Sequence, residues 1–273
     1  MSKCFAVASG KGGVGKSVLT ANLAAILSLS GAQVIIVDAD IGLRSQDALL
    51  SMENRVVYDL LDLANGDCLP DEAILKSEFF PSLRLLPAAQ FARAKDLGPK
   101  QLSRILTSFR SFFDYILIDC PAGIERGLRT VLKAGIDEAV LVTTPDDISV
   151  RSAERTRQVI EEITAFRPQL VVNRLDRKLI RSKEMMSAQT IAQLLDLQLL
   201  GSVPEDPIVS RSILKHSLFI RYDCEARAAV CRVAARMQGG NVPLYEYGGK
   251  ADHTFFRRFF SKSFREVTSI DDH

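Results

Sequence analysis

A glycine-rich segment near the amino terminus limits the folds that this chain can adopt. It reads Gly10-Lys11-Gly12-Gly13-Val14-Gly15-Lys16-Ser17. The segment fits G-x-x-x-x-G-K-[ST] and stands between a short apolar run and a helical pattern that begins near Val18. In such a loop the backbone N–H groups surround a β-phosphate, Lys16 reaches the β and γ oxygens, and the Ser17 hydroxyl binds Mg²⁺. The sequence therefore predicts a strand, a phosphate loop and a helix in that order.

Short apolar runs alternate with helical patterns along most of the chain. The runs typical of buried strands are Cys4–Ala8, Val34–Val37, Leu83–Leu86, Tyr115–Ile118, Ala139–Val142 and Leu170–Val172. Apolar residues at three- and four-residue spacings indicate helices over Val18–Leu29, Gln101–Phe112, Val150–Ile163 and Glu225–Met237. This alternation predicts an α/β fold in which a mostly parallel, twisted sheet is flanked by helices on both faces, as in P-loop NTPases.

The charge balance and the cysteines exclude several classes of protein. Lys and Arg total 35 against 33 Asp and Glu, a net charge of +2, which is too balanced for a whole surface built to bind nucleic acid. The five cysteines are scattered and form no C-x-x-C pair, so we interpret them as reduced thiols of a cytosolic protein. Residues 1–9 lack a signal-peptide pattern, and no run of about 18 apolar residues occurs. We expect a protein that neither leaves the cell nor spans a bilayer.

The composition changes near residue 238. From Gln238 to Thr254 the chain is rich in Gly, Asn, Pro, Tyr and charged residues, which favours a flexible connector. We therefore predict a P-loop ATPase domain over 1–237, a connector over 238–254 and an amphipathic helix over 255–267.

The segment 255–267 sets bulky aromatic residues opposite cations. On a helical wheel one half carries Phe255, Phe256, Phe259, Phe260, Phe264 and Val267, and the other half carries Arg257, Arg258, Lys262 and Arg265. Helices with this pattern typically lie in the headgroup plane of an anionic bilayer. The alternative is that the helix packs against the ATPase domain. A single segment binds reversibly, whereas two segments joined in a dimer bind far more tightly. We expect an anionic membrane surface as a partner.

Two predicted strands end in aspartates. Val37-Asp38-Ala39-Asp40 and Ile118-Asp119 should emerge at the carboxyl edge of a parallel sheet, beside the phosphate loop. Mg²⁺ in NTPases needs carboxylate support near the phosphates, and Asp119 is the candidate for this role. An aspartate at a strand end is often only a helix cap, so this assignment depends on the phosphate loop.

An early lysine gives the phosphate loop a second distinctive feature. With Lys11 the motif becomes K-G-G-x-G-K-[ST], which resembles the deviant Walker A motif of the MinD/ParA ATPase superfamily. The resemblance implies that Lys11 reaches the partner's nucleotide in an ATP-bound homodimer. It implies further that Asp40 positions the attacking water and that Asp38 supports the magnesium region. The candidate catalytic residues are therefore Lys11, Lys16, Asp40 and Asp119, and the candidate magnesium ligands are Ser17, Asp38 and Asp119.

The same resemblance assigns three residues outside the phosphate loop to the nucleotide. Gly123 matches the glycine whose backbone N–H meets the γ-phosphate. Asn173 and the backbone near Pro204 match positions that hold the adenine. Asn and Pro also favour plain turns, so a turn remains open as the alternative at these two positions.

Several further segments are similar to the MinD branch of this superfamily. They are Ile41-Gly42-Leu43-Arg44, Arg55-Val56-Val57-Tyr58-Asp59, Leu86-Pro87-Ala88, Cys120-Pro121-Ala122-Gly123-Ile124-Glu125 and Val203-Pro204-Glu205-Asp206. The resemblance implies an ATPase that uses ATP/ADP and Mg²⁺, works in the cytoplasm and at the inner face of the cell membrane, and regulates placement of the division septum. It also implies a division inhibitor of MinC type and a topological factor of MinE or equivalent type as partners. Ser17 stands where Thr is common in this branch, and its hydroxyl keeps the metal-binding group.

Three related functions remain as alternatives. A ParA-like DNA-partitioning ATPase would need a distributed basic surface, whereas aromatic residues dominate the basic tail, so no nucleic acid is expected. An iron–sulfur reductase of the superfamily would need paired cysteines, and Cys120 has no credible second ligand nearby in sequence. A flagellar-number regulator would carry an amphipathic tail too, but usually begins with an amino-terminal extension.

Overall fold

A central eight-stranded sheet organises the computed structural model, which describes residues 2–93 and 96–245. The strands are β1 (Lys3–Ala8), β2 (Val34–Asp38), β3 (Leu75–Lys76), β4 (Leu83–Leu86), β5 (Tyr115–Asp119), β6 (Glu138–Thr143), β7 (Gln169–Leu175) and β8 (Leu199–Pro204). The α-helices are α1 (Lys16–Leu29), α2 (Gln46–Leu49), α3 (Leu60–Asn65), α4 (Pro70–Ala73), α5 (Pro99–Phe109), α6 (Arg126–Leu132), α7 (Asp147–Thr164), α8 (Arg177–Arg181), α9 (Ala188–Leu194), α10 (Pro207–Leu214) and α11 (Glu225–Met237). Short 3₁₀ turns occur at Glu53–Arg55 and Phe219–Arg221.

The sheet has the order β3-β4-β2-β5-β1-β6-β7-β8. Only β3, at one edge, runs antiparallel to its neighbour among the described strands. The chain leaves β1 toward β2 on one side and later returns past β1 to build β6, β7 and β8 on the other. Ligands of open α/β sheets bind at the carboxyl ends of strands where the order reverses in this way. The predicted mostly parallel α/β fold is confirmed.

Alternate residues of the central strands enter two different cores. Phe5 and Val7 pack with α1 and α11 on one face, whereas Cys4 and Ala6 pack with α5 and α6 on the other. Strands buried on both faces lack the apolar–polar alternation of an exposed sheet, which is why they read as continuous apolar runs in the sequence. A third, smaller core lies between β7, β8 and α9.

The helix and strand bounds differ from the sequence predictions at a few ends. The helix predicted over Gln101–Phe112 runs instead over Pro99–Phe109, and Pro99 at its first position favours a helix start. The helix predicted over Val150–Ile163 begins earlier, at Asp147, since the Asp146 carboxylate caps it through the N–H of Ser149.

The first part of the predicted connector packs on the domain. Val242 and Tyr245 are buried, and the Val242 carbonyl accepts a hydrogen bond of 2.8 Å from the Arg236 guanidinium. These apolar side chains outweigh the polar composition around them, so packed structure extends to Tyr245. The predicted helix over 255–267 lies outside the described residues, and among those described no helix is long and apolar enough to cross a membrane.

Candidate nucleotide and magnesium site

The phosphate loop connects β1 to α1 and packs closely against two other segments. Gly15 precedes the helix with φ 89°, in the left-handed region, and a Cβ added there would lie 2.4 Å from Asn173 Nδ2. A Cβ at Gly10 would lie 2.3 Å from the Ser152 carbonyl oxygen on α7. Glycine is therefore required at both positions, at Gly15 for its backbone conformation and at Gly10 for the close approach of α7. Gly12 and Gly13 are exposed, while Val14 is buried.

Lys16 is buried in the middle of an acidic group. Its ammonium lies 2.6 Å from Asp119 Oδ1, 3.8 Å from Asp40 Oδ2 and 3.2 Å from Ser17 Oγ. Burial lowers the pKa of Lys16, but the negative charges of Asp119 and Asp40 outweigh it and hold that pKa above its ordinary value. The loop therefore presents a fully charged ammonium beside a serine hydroxyl, the pair that a nucleotide's terminal phosphates and a metal ion require.

Asp119 ends β5 with both carboxylate oxygens engaged. Oδ1 accepts from Lys16 and, at 3.4 Å, from the Thr20 hydroxyl, while Oδ2 accepts from Gln46 Nε2 at 2.7 Å. Asp119 is fully buried, so these bonds fix its rotamer. The sequence predicted Asp119 but missed Gln46 and Thr20. Thr20 follows Lys16 by one helical turn, a spacing that could have pointed to it, whereas nothing in the sequence around Gln46 marks it.

Asp38 holds the loop between β2 and α2. Its Oδ1 accepts the backbone N–H of Asp40 at 3.0 Å, and its Oδ2 accepts those of Ser45 at 3.1 Å and Gln46 at 3.0 Å. Burial, together with the nearby charge of Asp119, raises the pKa of Asp38 to about 7. With its oxygens directed at backbone amides, Asp38 shapes this loop.

Asp40 lies where that loop faces the phosphate site. Among the described residues its carboxylate forms an ion pair only with Lys16, at 3.8 Å, and burial raises the pKa of Asp40 above the ordinary value. A carboxylate with free oxygens at this point can accept a hydrogen bond from a water molecule. The structure thus brings the predicted Lys16, Ser17, Asp40 and Asp119 together.

Lys11 lies on the outer side of the phosphate loop. Its ammonium is 3.8 Å from Asp146 Oδ1, and both side chains are about half exposed. Hydrogen bonds from Thr144 and Ser149, with the charge of Lys11, outweigh the effect of burial and lower the pKa of Asp146 to about 2. Lys11 does not point into its own site, and an outward position is what contact with a second chain requires.

Gly123 follows β5 with φ 87°. Its N–H donates to the Ser9 carbonyl at 2.9 Å. The role in γ-phosphate binding that the resemblance implies would require this bond to break. The β5–α6 loop would therefore have to move on nucleotide binding.

A pocket beside the phosphate loop lies between the ends of β7 and β8. Its lining includes Gly15, Val18, Asn173, Arg174, Pro204 and Glu205. Asn173 Nδ2 donates to the Val14 carbonyl at 2.8 Å, which attaches this pocket to the phosphate loop. Both residues that the resemblance assigns to adenine, Asn173 and Pro204, line it, so the structure brings them together beside the loop.

The oxygen donors of the site fit a magnesium ion bound with a nucleotide. Mg²⁺ prefers oxygen ligands and keeps several water molecules. The Ser17 hydroxyl and the Asp119 carboxylate are oxygen donors, and Gln46 Oε1 is a buried oxygen with no hydrogen-bond partner in the described structure. Within residues 2–93 and 96–245, no three His, Cys, Asp or Glu side chains are grouped to hold a metal by themselves. Such an ion would therefore depend on the serine hydroxyl, water and the nucleotide.

Cys120 lies directly behind Asp119 and is fully buried. Burial raises the pKa of its thiol, which keeps it protonated. A cluster bridging two subunits needs thiolates at the surface, so Cys120 does not suit that role.

Known proteins match this chain over most of its length. A family model described as ParA, NUBPL iron-transfer P-loop NTPase, matches residues 1–237. The septum site-determining protein MinD of Bacillus subtilis (strain 168) is 38% identical over 248 residues, which cover 89% of this chain and 92% of that protein. The MinC:MinD cell division protein complex of Aquifex aeolicus superposes with a TM-score of 0.81 at 33% identity, covering 91% of this chain and 100% of that one. MinD of Pyrococcus horikoshii OT3 complexed with Mg-ADP has a TM-score of 0.77 at 27% identity, covering 87% of this chain and 96% of that one.

These matches confirm the resemblance drawn from the K-G-G-x-G-K-[ST] motif. They extend over the whole described sheet rather than the phosphate loop alone. The chain belongs to the ParA family of P-loop NTPases and, within it, to the MinD septum site-determining ATPases.

Proposed function

We propose that this ATPase regulates placement of the division septum by switching between a free and a membrane-bound form as it binds and hydrolyses ATP. The observation that carries the proposal is the buried group formed by Lys16, Asp119 and Asp40 beside the phosphate loop. The two carboxylates hold the Lys16 ammonium. A bound ATP offers Lys16 competing negative charge, so binding rearranges the group and the loops attached to it.

The residues of the site have distinct tasks in hydrolysis. Lys16 neutralises charge on the β- and γ-phosphates, and Asp40 orients the attacking water through its free oxygens. Ser17 and Asp119 would hold Mg²⁺, which neutralises charge that develops on the phosphate oxygens. Asp38 keeps Asp40 in place through the backbone N–H bond of 3.0 Å. The base of the nucleotide lies in the pocket of Asn173 and Pro204.

Dimerisation completes the switch. Lys11 is half exposed on the outer side of the loop, where a second copy of the chain can bring it to the partner's nucleotide. An ammonium supplied in trans stabilises phosphate charge only when both sites are filled. ATP therefore favours the homodimer, and hydrolysis releases it.

The carboxyl-terminal segment 255–267 carries the membrane attachment. Its five phenylalanines and its cations make it suitable for the surface of an anionic bilayer. The ATP dimer presents two such segments and gains affinity through effective concentration. Its partners are a division inhibitor of MinC type, supported by the likeness to the Aquifex aeolicus MinC:MinD complex, and a topological factor of MinE or equivalent type.

The test is sedimentation with anionic liposomes in ATP, in ADP and without nucleotide. We compare the full chain with one ending at Asp252, and a chain ending at Val267 serves as the matched control that keeps the segment. The full chain and the control should sediment with ATP alone, and the Asp252 chain should stay in the supernatant. Sedimentation that is independent of nucleotide, or that persists in the chain ending at Asp252, contradicts the proposal. A parallel arm with duplex DNA tests the ParA-like alternative, which predicts ATP-dependent DNA binding without lipid binding.

A further inference from the structure

Gln46 links three segments of the nucleotide site. It is the first residue of α2, it is fully buried, and its backbone N–H donates to Asp38 Oδ2 at 3.0 Å. Its side-chain Nε2 donates to Asp119 Oδ2 at 2.7 Å and to the Ser17 carbonyl at 3.0 Å. One amide therefore joins the end of β5 to the start of α1, while its backbone is anchored to the end of β2.

The orientation of this amide is determined by its neighbours. Both groups that Nε2 contacts, a carboxylate and a backbone carbonyl, are acceptors only, so the amide nitrogen and oxygen cannot be exchanged. Gln46 Oε1 consequently faces away from them. Among the described residues it has no hydrogen-bond partner, although it is buried.

A buried carbonyl oxygen without a donor is costly and rare in native proteins. The donor that satisfies such an atom is commonly a water molecule or a bound ligand. Gln46 contacts Asp119 and the backbone of Ser17, the two residues proposed as magnesium ligands. Mg²⁺ retains several water molecules in its coordination shell, and each of them is a strong donor.

We propose that Gln46 is a positioning residue of the magnesium site, whose Oε1 accepts a hydrogen bond from a metal-bound water while its Nε2 fixes the Asp119 carboxylate. This inference rests on the magnesium–nucleotide site proposed above. Residues that orient a metal's ligands in this way strongly affect metal affinity. Because Asp38 holds both Gln46 and the Asp40 backbone, the same contact transmits the presence of the metal to the loop that carries Asp40.

The experiment measures the affinity of a fluorescent ADP analogue with Mg²⁺ and with EDTA. The ratio, defined as the affinity with Mg²⁺ divided by the affinity with EDTA, isolates the contribution of the metal. Gln46→Met removes both amide atoms at nearly constant volume and should lower the ratio about tenfold. Gln193→Met, an exposed position on α9, is the matched control and should keep the wild-type ratio. A wild-type ratio in Gln46→Met overturns the proposal.

A second variant separates a metal contact from a general packing role. Gln46→Glu keeps an oxygen at the Oε1 position, and its carboxyl lies beside Asp119, where a cation relieves the repulsion. Its ratio should therefore exceed that of Gln46→Met, whereas a ratio no higher than that of Gln46→Met overturns the proposal. If Gln46→Met does not fold, as judged by circular dichroism, Gln46→Leu takes its place in both comparisons. A wild-type protein that binds no nucleotide, or binds it equally with EDTA, instead contradicts the proposed function.

Discussion

The two ends of the nucleotide groove are held together in different ways. At the phosphate end, Lys16, Asp119, Asp38 and Gln46 are all buried and bond to one another or to the same loop. At the end proposed to hold the base, here called the base end, the pocket is lined by the ends of β7 and β8, and the Asn173 side chain makes one hydrogen bond to a described residue, at the Val14 carbonyl. Substitutions of charged groups in contact have coupled, non-additive effects on free energy, whereas isolated packing contacts contribute nearly independently. Changes at the phosphate end should therefore spread through the site, and changes at the base end should remain local.

Lys16→Ala should have the largest effect. It removes the only cation within 4 Å of Asp119 and Asp40 among the described residues and leaves two carboxylates facing the phosphates. We expect a loss of ATP hydrolysis of at least about 100-fold, as for other removed phosphate-stabilising groups, together with weaker nucleotide binding. Steady-state phosphate release and nucleotide titration measure both effects. Lys3→Ala, which breaks a partly exposed ion pair with Glu138, is the control and should leave both unchanged. Wild-type turnover in Lys16→Ala would contradict the proposed site.

Asp40→Ala should separate binding from hydrolysis. Within the described part of the chain, Asp40 makes no side-chain hydrogen bond that holds the loop, since the bond to Asp38 comes from its backbone. Loss of a group that orients water slows the chemical step by about 10²–10⁴-fold, while nucleotide affinity should stay near the wild-type value. Single-turnover hydrolysis and equilibrium binding of ATP test the two parts. Normal turnover in this variant would remove Asp40 from the mechanism.

Asp38 gives the phosphate end a pH dependence. Its pKa is raised from 3.8 to about 7 in the folded chain, so between these values the folded state holds a proton that the unfolded state has released. This contribution to the free energy of unfolding is greatest at low pH, falls as the pH rises through the window between the two pKa values, and is constant above that window. Asp38→Asn cannot titrate, so the stability difference between wild type and variant should shrink as pH rises through the window.

Urea denaturation of the nucleotide-free proteins at several pH values within that window measures this difference. Asn173→Ala serves as the control, because it removes no titratable group and its stability should follow the wild-type pH profile. A constant difference between wild type and Asp38→Asn would mean that Asp38 keeps an ordinary pKa in the folded chain.

The sequence predicted the features that depend on neighbouring residues. The phosphate loop occupies consecutive positions, and Asp119 directly follows a buried strand, so both could be found from local pattern. The meeting of Asp38 and Asp119 at one edge follows from the rule that parallel strands end together, and they are indeed paired across β2 and β5.

Contacts between distant segments could not be predicted in this way. Gln46 is one polar residue among several in the sequence from Arg44 to Asp47, and its bond to Asp119 joins positions 73 apart. The bond from the Gly123 N–H to Ser9 and the close approach of Asn173 to Gly15 likewise depend on how loops pack. Val242 and Tyr245 show the same limit, because burial of two apolar side chains overrides the composition of a segment that favours a flexible connector.

The smallest effect should come from Asn173→Ala, which tests the base end. The variant removes the side-chain amide that we propose bonds the base, a hydrogen bond worth about 1 kcal/mol or roughly fivefold in affinity. Because this contact is separate from the buried charges, the loss should be equal with Mg²⁺ and with EDTA, and it should be equal for ADP and ATP. Titration of both nucleotides under both conditions measures it. A loss that appears only with Mg²⁺ would couple Asn173 to the metal and break the distinction between the two ends. An equal loss in all four titrations would show that base binding and the phosphate-dependent switch are energetically independent, so the base can anchor ATP and ADP alike while the phosphate end alone distinguishes them.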